Sequence, residues 1–228
     1  MEFPTLSRRT YEDSCGIARA LDTVGERWAL LVARELLFGP KRFSDLRTGL
    51  PRIGPDMLVQ RLRELEEAGV VRRRTLPPPA ASRVYELTEW GLELAPVLVA
   101  LGRWGSRAPL PDGPPALSAD AAIVALQTTF DPAAARGLSD TYELHLAEQV
   151  FSLRVRNGGI EVSRGAAGAP AAVVQTDTAT LAAVLWHGVD AGEAIASGAW
   201  TVAGDPAAAA RLATLFPAPS PAGPLRHG

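Results

Sequence analysis

The sequence contains few of the side chains that build disulfides and metal sites. Its 228 residues include one cysteine and three histidines. One cysteine excludes an internal disulfide framework, and so few Cys and His side chains leave no cluster at metal-ligand spacing. The chain also lacks a nucleophile with a base at motif spacing and a phosphate-binding loop. We therefore expect no metal, no cofactor and no catalytic residue.

Long apolar runs are missing as well. No uninterrupted stretch reaches the roughly 18 residues that a membrane-spanning helix needs. The first residues lack the charged and then apolar pattern of a signal peptide. The sequence therefore predicts a soluble, cytoplasmic protein without a membrane partner.

The charges that are present are unevenly distributed. Residues 1–110 hold 17 Arg and Lys against 14 Asp and Glu, whereas residues 111–228 hold 6 against 11, in a chain of net charge −2. Attraction to nucleic acid would therefore depend on local basic patches in the first half and not on the charge of the whole chain.

Two short amphipathic helices are predicted between residues 42 and 69. Phe43, Leu46 and Leu50 share one face of the first helix. The second helix starts at Pro55, because proline suits the first helical position. Its apolar stripe consists of leucines spaced four and three residues apart, which are Leu58, Leu62 and Leu65. Further helices are predicted over 15–24, 26–38 and 89–104.

The opposite face of the second helix is polar at its leading end. It carries Asp56, Met57, Gln60 and Arg63, about half a turn from the leucines at roughly 100° per residue. Amide and guanidinium groups in this position can read base edges in the major groove of DNA. We therefore assign this helix to DNA recognition.

A hairpin rich in arginine follows. Residues 70–76 include Arg72, Arg73 and Arg74, residues 77–82 form a tip with three prolines, and residues 83–87 alternate as a returning strand. A hairpin wing in this position lies along the phosphates or enters the minor groove.

Several ordered segments carry a resemblance to a known family. They are CGIARALD at 15–22, GERW at 25–28, RELLFGPKRFSDL at 34–46, LVQRLRELEEAGVV at 58–71 and YELTEWG at 85–91. Together they resemble the HxlR-type winged helix-turn-helix of bacterial transcription regulators, which is MarR-like. The resemblance implies a DNA-binding domain over 1–107 and a homodimer on a palindromic double-stranded operator. One departure is Gly54, where the family usually has Ser or a similar cap; its free backbone N–H groups remain suitable for a phosphate.

The candidate DNA contacts lie at the helix starts, on the polar face of the second helix and on the wing. They are Arg42, Arg52, Gly54, Asp56, Met57, Gln60, Arg61, Arg63, Arg72, Arg74 and Arg83.

A second domain is predicted after a stiff, proline-rich linker at 108–115. Helix and strand patterns alternate irregularly over 116–216, and Asn157-Gly158 suits a tight hairpin turn. Thr178 is the predicted cap of one of these helices. The fold class is α+β: a winged helix-turn-helix domain, then a domain with a mainly antiparallel sheet. We expect the tail at 217–228 to be disordered.

The end of this second domain carries a further resemblance. The segment AIASGAWTVAGDP at 194–206, with Gly188 before it, resembles the sterol-carrier-protein-like domain. In that family the sheet and helices enclose an apolar tunnel, so the resemblance implies a pocket for a small hydrophobic effector. The candidate lining residues are Phe130, Phe151, Leu153, Leu181, Leu185, Trp186, Ile195, Trp200, Leu212 and Phe216. Each of them also suits an ordinary core position.

Cys15 is the candidate redox site. Its place near a helix N-terminus favours the thiolate, whereas Glu12 and Asp13 oppose it. Some HxlR-type regulators sense quinones or other oxidants through a cysteine at this position. The alternative is a small, buried apolar residue.

The leading hypothesis is a ligand-responsive DNA-binding transcription regulator, acting as a repressor, that is not an enzyme. One alternative is a regulator that senses oxidants or electrophiles through Cys15. The other is a lipid carrier or enzyme in residues 116–216, with the winged helix as a targeting module.

Overall fold

The structure, a computed structural model, describes residues 10–109 and 117–222. The chain divides into two compact units, Met1–Leu94 and Ala95–Gly228. This division precedes the predicted linker at 108–115, most of which lies outside the described residues. The predicted α+β class is confirmed, with helices and a hairpin in the first unit and a larger sheet in the second.

The first unit has the element order of a winged helix-turn-helix. Its helices are α1 (Gly16–Val24), α2 (Ala29–Leu36), α3 (Phe43–Gly49), α4 (Pro55–Glu67) and α5 (Glu89–Leu92), and its strands are β1 (Val71–Thr75) and β2 (Arg83–Leu87). Val32 of α2, Leu46 of α3 and Leu62 of α4 are buried in its core. Burial of one such side chain contributes about 1.5–3 kcal/mol to folding, so the apolar stripes fix how the helices pack.

Two helix boundaries differ from the sequence prediction. α2 begins at Ala29 and not near residue 26, because Trp28 adopts a left-handed φ of 79° that a right-handed helix cannot include. The single helix expected over 89–104 is divided into α5 and α6 (Leu94–Gly105). Pro96 explains the division, since it has no N–H to donate to the carbonyl of Leu92 and its ring crowds that carbonyl.

The second unit, which also includes nearly all of α6, combines helices with a five-stranded sheet. Its other helices are α7 (Ala119–Thr129), α8 (Thr178–Trp186), α9 (Ala191–Ala196) and α10 (Pro206–Thr214), and its strands are β3 (Ser139–Leu146), β4 (Gln149–Arg156), β5 (Gly159–Arg164), β6 (Ala172–Thr176) and β7 (Thr201–Gly204). The strand order is β5-β4-β3-β6-β7. Only the pairing of β3 with β6 is parallel, so the predicted mainly antiparallel sheet is confirmed.

Alternation along the strands places one sheet face in the core. On β4, Phe151 and Leu153 are buried whereas Arg154 and Arg156 are exposed. The β4–β5 turn has positive φ at both Asn157 and Gly158, 53° and 75°, as the tight turn inferred from the sequence requires.

The caps of two helices define where they begin. Ser118 Oγ accepts a hydrogen bond from the Ala121 N–H at 3.0 Å and caps α7. The cap of α8 is Asp177, whose carboxylate accepts from the Thr180 N–H at 2.7 Å, and not Thr178 as the sequence suggested. Aspartate accepts this bond more readily because its carboxylate is charged and lies at the positive end of the helix.

The predicted tail falls partly within the described residues. Residues 217–222 form neither helix nor strand, and the Ala222 N–H donates to the Arg107 carbonyl at 2.9 Å. Residues 223–228 lie outside the described part of the chain. Across 10–109 and 117–222, no helix has the length and hydropathy needed to cross a membrane.

Candidate DNA-binding surface

The leading half of α4 presents a polar surface to solvent. The helix begins after Gly54 with Pro55 at its first position, as predicted from the sequence. Leu58, Leu62 and Leu65 are buried. The predicted face opposite them is exposed, and its members are Asp56, Met57, Gln60 and Arg63. A helix held by one apolar stripe with this opposite face free has the geometry needed to enter a major groove.

Arg61 does not belong to that exposed face. Its side chain is only 5% exposed, and its guanidinium bonds Glu64 and lies 3.8 Å from a Glu26 carboxylate oxygen. It also donates to the Met57 sulfur at 3.5 Å. Arg61 lies one residue before Leu62, so the core-facing stripe is wide enough to include it. We therefore remove Arg61 from the candidate DNA contacts.

The exposed polar side chains of α4 have acidic partners one turn later. Gln60 Nε2 donates to Glu64 at 3.0 Å, and Arg63 Nε donates to Glu67 at 2.8 Å. Exposed pairs of this spacing stabilise a helix by only about 0.2–0.5 kcal/mol. DNA can therefore compete for both side chains at low cost.

The wing is a two-stranded hairpin in which glutamates hold the arginines. Glu86 accepts a hydrogen bond from Arg72 at 2.7 Å and forms an ion pair with Arg74 at 2.9 Å. Arg73 points to the other side, as the period of a strand requires, and donates to Glu66 at 2.6 Å. This hydrogen bond is the main reason that the pKa of Arg73 is raised above its ordinary value.

A buried ion pair anchors the base of the wing. The carboxylate of Glu35 is fully buried and accepts from Lys41 at 2.8 Å and from Arg34 at 2.9 Å. The backbone of Lys41 exchanges two hydrogen bonds with that of Tyr85 on β2. This anchor was not found from the sequence, although Glu35 lies three residues after Val32 and one before Leu36, on the apolar face of α2.

The remaining candidate contacts lie around α3, α4 and the wing tip. Arg42 and Arg52 are exposed, and the Arg42 N–H donates to Asp45 at 3.0 Å at the start of α3. Gly54 is exposed and an added Cβ there would meet no atom within 4 Å. Arg83 is exposed at the start of β2. Exposure of these residues is compatible with DNA contact but does not test it, so their roles stay predictions.

The candidate effector residues of the second unit mostly pack its core. Seven of them are buried, namely Phe130, Phe151, Leu153, Leu181, Trp200, Leu212 and Phe216. Leu185 and Trp186 on α8 are half-buried, and Ile195 on α9 is 48% exposed. Burial of this kind fits a packed core and the lining of an apolar tunnel equally, so their role as a pocket lining stays a prediction.

A surface cleft of about 470 Å³ lies at the C-terminal ends of α6 and α7. Arg103 and Arg107, Thr128 and Thr129 line it together with residues 217–220. Of the candidate effector residues, it includes only Phe130.

Cys15 occupies the position before α1 and is exposed. Its backbone N–H donates to the Asp13 carboxylate at 2.8 Å. The thiol is therefore accessible to a small reagent and is not the buried apolar residue of the alternative interpretation.

The fold and this surface define the first unit as a winged helix-turn-helix. Residues 23–111 match the family described as HxlR-like helix-turn-helix. YvaP of Bacillus subtilis, an uncharacterized HTH-type transcriptional regulator, is 38% identical over 88 residues, which are 39% of this chain and 82% of that protein. Rv3095 of Mycobacterium tuberculosis, also an uncharacterized HTH-type transcriptional regulator, is 42% identical over 118 residues, 50% of this chain and 72% of that protein. The chain belongs to the HxlR-like helix-turn-helix family, which confirms the resemblance seen in the sequence.

Two further similarities concern a solved structure and the second unit. The reduced form of the transcriptional regulator YodB from B. subtilis superposes with a TM-score of 0.38 at 34% identity, covering 42% of this chain and 94% of that chain. Residues 111–222 match a different family, described as alkyl sulfatase C-terminal. The sterol-carrier-like character of the second unit remains a prediction.

Proposed function

We propose that this protein is a transcriptional repressor that binds palindromic duplex DNA as a homodimer and whose affinity for DNA is changed by a small apolar effector. The observation that carries the proposal is the exposed leading half of α4, where Gln60 and Arg63 stand opposite a buried leucine stripe. Relatives named as HTH-type transcriptional regulators support it.

The wing supplies the sequence-independent part of the binding. Arg72, Arg74 and Arg83 are exposed on β1 and β2. Arg72 and Arg74 can exchange the Glu86 carboxylate for phosphates, and Arg83 can reach phosphates from the start of β2. With the helix N-termini of two protomers, about 6–10 phosphates are neutralised, so the affinity falls by orders of magnitude between low and physiological salt.

The homodimer explains an exposed apolar stripe on α6. Val97, Leu101 and Trp104 are spaced four and three residues apart, and all are exposed, Trp104 to 77%. A contiguous apolar stripe on a surface helix indicates an interaction site. We assign it to the second copy of the chain, because one winged helix buries too little DNA surface for a specific site.

The effector role belongs to the second unit. Its match to a family other than that of the DNA-binding half supports a separate task. By linkage, an effector that changes the affinity for DNA must have its own affinity changed by DNA by the same factor.

The test is a binding titration on the DNA upstream of the protein's own gene, repeated across salt concentrations. Gln60→Ala and Arg63→Ala are expected to weaken specific binding by roughly 1–3 kcal/mol each while the fold is retained. Arg156→Ala, which changes an exposed arginine of the second unit, is the matched control. A flat salt profile, or wild-type binding by both α4 variants, would contradict the proposal.

The dimer is tested by Trp104→Glu. A charge at the most exposed position of the stripe should give a monomer by light scattering and abolish specific binding. Trp90→Glu, which changes an exposed tryptophan of α5, is the control and should remain dimeric. A Trp104→Glu protein that stays dimeric would remove the stripe from the interface.

Exposed Cys15 favours a second candidate, regulation by electrophiles. If it applies, N-ethylmaleimide abolishes operator binding by the wild type but not by Cys15→Ser. Equal loss in both proteins, or in neither, contradicts this candidate without touching the DNA-binding proposal.

A further inference from the structure

Helix α8 is mostly apolar and only partly covered. Its sequence, TATLAAVLW, has no charged residue. Leu181 and Ala182 are buried, whereas Val184, Leu185 and Trp186 keep part of their surface exposed. Apolar helix surface is normally buried. The exposed part of α8 is therefore apolar surface that a further partner can cover.

Two indole nitrogens near the two ends of this region are buried without a hydrogen-bond partner among the described residues. They are the Nε1 atoms of Trp186 and Trp200. Trp186 ends α8 and Trp200, only 2% exposed, precedes β7. Nearly all buried donors in native proteins are paired, so an orphaned donor points to a group that is absent from the protein itself.

The short helix α9 lies in the chain between these two tryptophans. Of its six residues only Ala194 is buried. Gly188 and Gly198 flank it with φ of 75° and 76°, a conformation that glycine adopts without strain. Two backbone hydrogen bonds tie down its ends, from Val189 N–H to Ala183 O at 3.1 Å and from Trp200 N–H to Ala194 O at 3.0 Å. Because only one of its six residues is buried, α9 can move aside at low cost in free energy.

The charge of this region limits the chemistry of the ligand. Residues 178–204 contain no arginine or lysine and include Asp190 and Glu193. Within this segment a carboxylate or sulfate would meet no arginine or lysine, only the imidazole of His187, and would meet the two like charges of Asp190 and Glu193. A neutral acceptor, such as a ketone, ester or amide oxygen, matches neutral indole donors.

We propose that an uncharged apolar molecule bearing a hydrogen-bond acceptor oxygen binds between α8 and α9, where the oxygen accepts from the Nε1–H of Trp186 or Trp200. The proposal rests on the effector role assigned to the second unit and adds the ligand class and its two donors. A small molecule fits better than a membrane or a second protein surface, because the acceptor must reach nitrogens that are buried.

The experiment compares three probes of similar shape on the full-length protein: 2-acetylnaphthalene, 2-ethylnaphthalene and 2-naphthoate. The five tryptophans give five indole N–H signals in a nitrogen–proton correlation spectrum, and Trp→Phe variants assign them. The ketone is expected to shift the Trp186 or Trp200 signal and to bind roughly tenfold more tightly than the hydrocarbon, the gain of one buried hydrogen bond. The naphthoate is expected to bind most weakly.

Variants separate the hydrogen bond from general stickiness. Trp186→Phe and Trp200→Phe keep the ring but remove the donor, so the variant at the responsible position should bind ketone and hydrocarbon equally. Trp186 is half-buried, so its variant retains the fold even if the core variant at Trp200 does not. Trp90→Phe in the first unit should leave both affinities unchanged.

Three outcomes overturn the inference. Equal binding of ketone and hydrocarbon with unmoved indole signals removes the acceptor but leaves apolar effector binding in place. Tightest binding of 2-naphthoate replaces the neutral ligand class with an anion. Failure of all three probes to bind removes the site itself, while the salt-dependent titration on DNA still decides the regulator function independently.

Discussion

The Nζ atom of Lys41 lies 2.8 Å from Oε2 of Glu35, a carboxylate with no exposed surface. Lys41 is the chain's one lysine, and its backbone pairs with Tyr85 at the base of the wing. The pair therefore fastens α2 to the hairpin that carries Arg72 and Arg74.

Lys41→Met is expected to destabilise the first unit by about 3 kcal/mol, because removing one member of a buried pair leaves a buried charge under-compensated. Urea unfolding followed by circular dichroism measures the loss. The double change Lys41→Met with Glu35→Gln removes both charges and should recover part of it. A loss below about 1 kcal/mol in the single variant, within the range of a surface pair, would show that the remaining contacts of Glu35, including that with Arg34, compensate its charge.

The wing suggests a second change, at Glu86. This carboxylate holds Arg72 at 2.7 Å and Arg74 at 2.9 Å and would face the same phosphates that those arginines contact. Glu86→Gln is expected to tighten DNA binding by about two- to fivefold, because the arginine ends of both pairs are exposed and a pair of this kind is worth roughly 0.4–1 kcal/mol. Fluorescence anisotropy at fixed salt measures the change.

Glu89→Gln is the matched control for that measurement. It changes the chain's net charge equally, at an exposed position on α5, and should leave the affinity nearly constant. Weaker binding by Glu86→Gln would mean that the carboxylate orients the arginines for DNA and does not compete with it.

Much of the first unit was predictable because one apolar period dominates each helix. The spacing of Leu58, Leu62 and Leu65 determined the phase of α4 and hence its exposed face. The leucine stripe of α4 is wide enough to include Arg61. The spacing of apolar residues in the sequence does not show whether a residue at the edge of that stripe is exposed. The left-handed Trp28 gave no sequence signal, whereas Pro96 was a signal for the break between α5 and α6.

The second unit was harder to predict at the level of its site. Phe151 and Leu153 have the alternation of a buried strand, and the same alternation serves a packed core and a ligand tunnel equally. Sequence patterns identify apolar residues but not unpaired donors. The lack of a partner for the indole N–H of Trp186 and Trp200 among the described residues depends on where acceptors lie in three dimensions, which no sequence pattern gives.

Asp177 gives the second unit a predictable response to acid. Its carboxylate caps α8, and the bond from the Thr180 backbone N–H is the main reason that its pKa is lowered. A carboxyl group whose folded pKa is lowered contributes stability above the ordinary aspartate pKa of about 3.9 and loses it as the pH falls through the folded value. The free energy of unfolding should therefore decrease below about pH 4 partly through this group.

Asp177→Asn retains a capping side chain without the charge, so its free energy of unfolding should show a smaller decrease over that range. Asp177→Ala should cost about 1 kcal/mol at neutral pH, where the cap itself is lost. Chemical unfolding of the three proteins at pH 3, 4 and 7 separates the effect of the charge from that of the cap. An unchanged acid response in Asp177→Asn would assign the pH dependence to other carboxylates. One such group is Glu143, whose pKa is also lowered, chiefly by its hydrogen bond with His145.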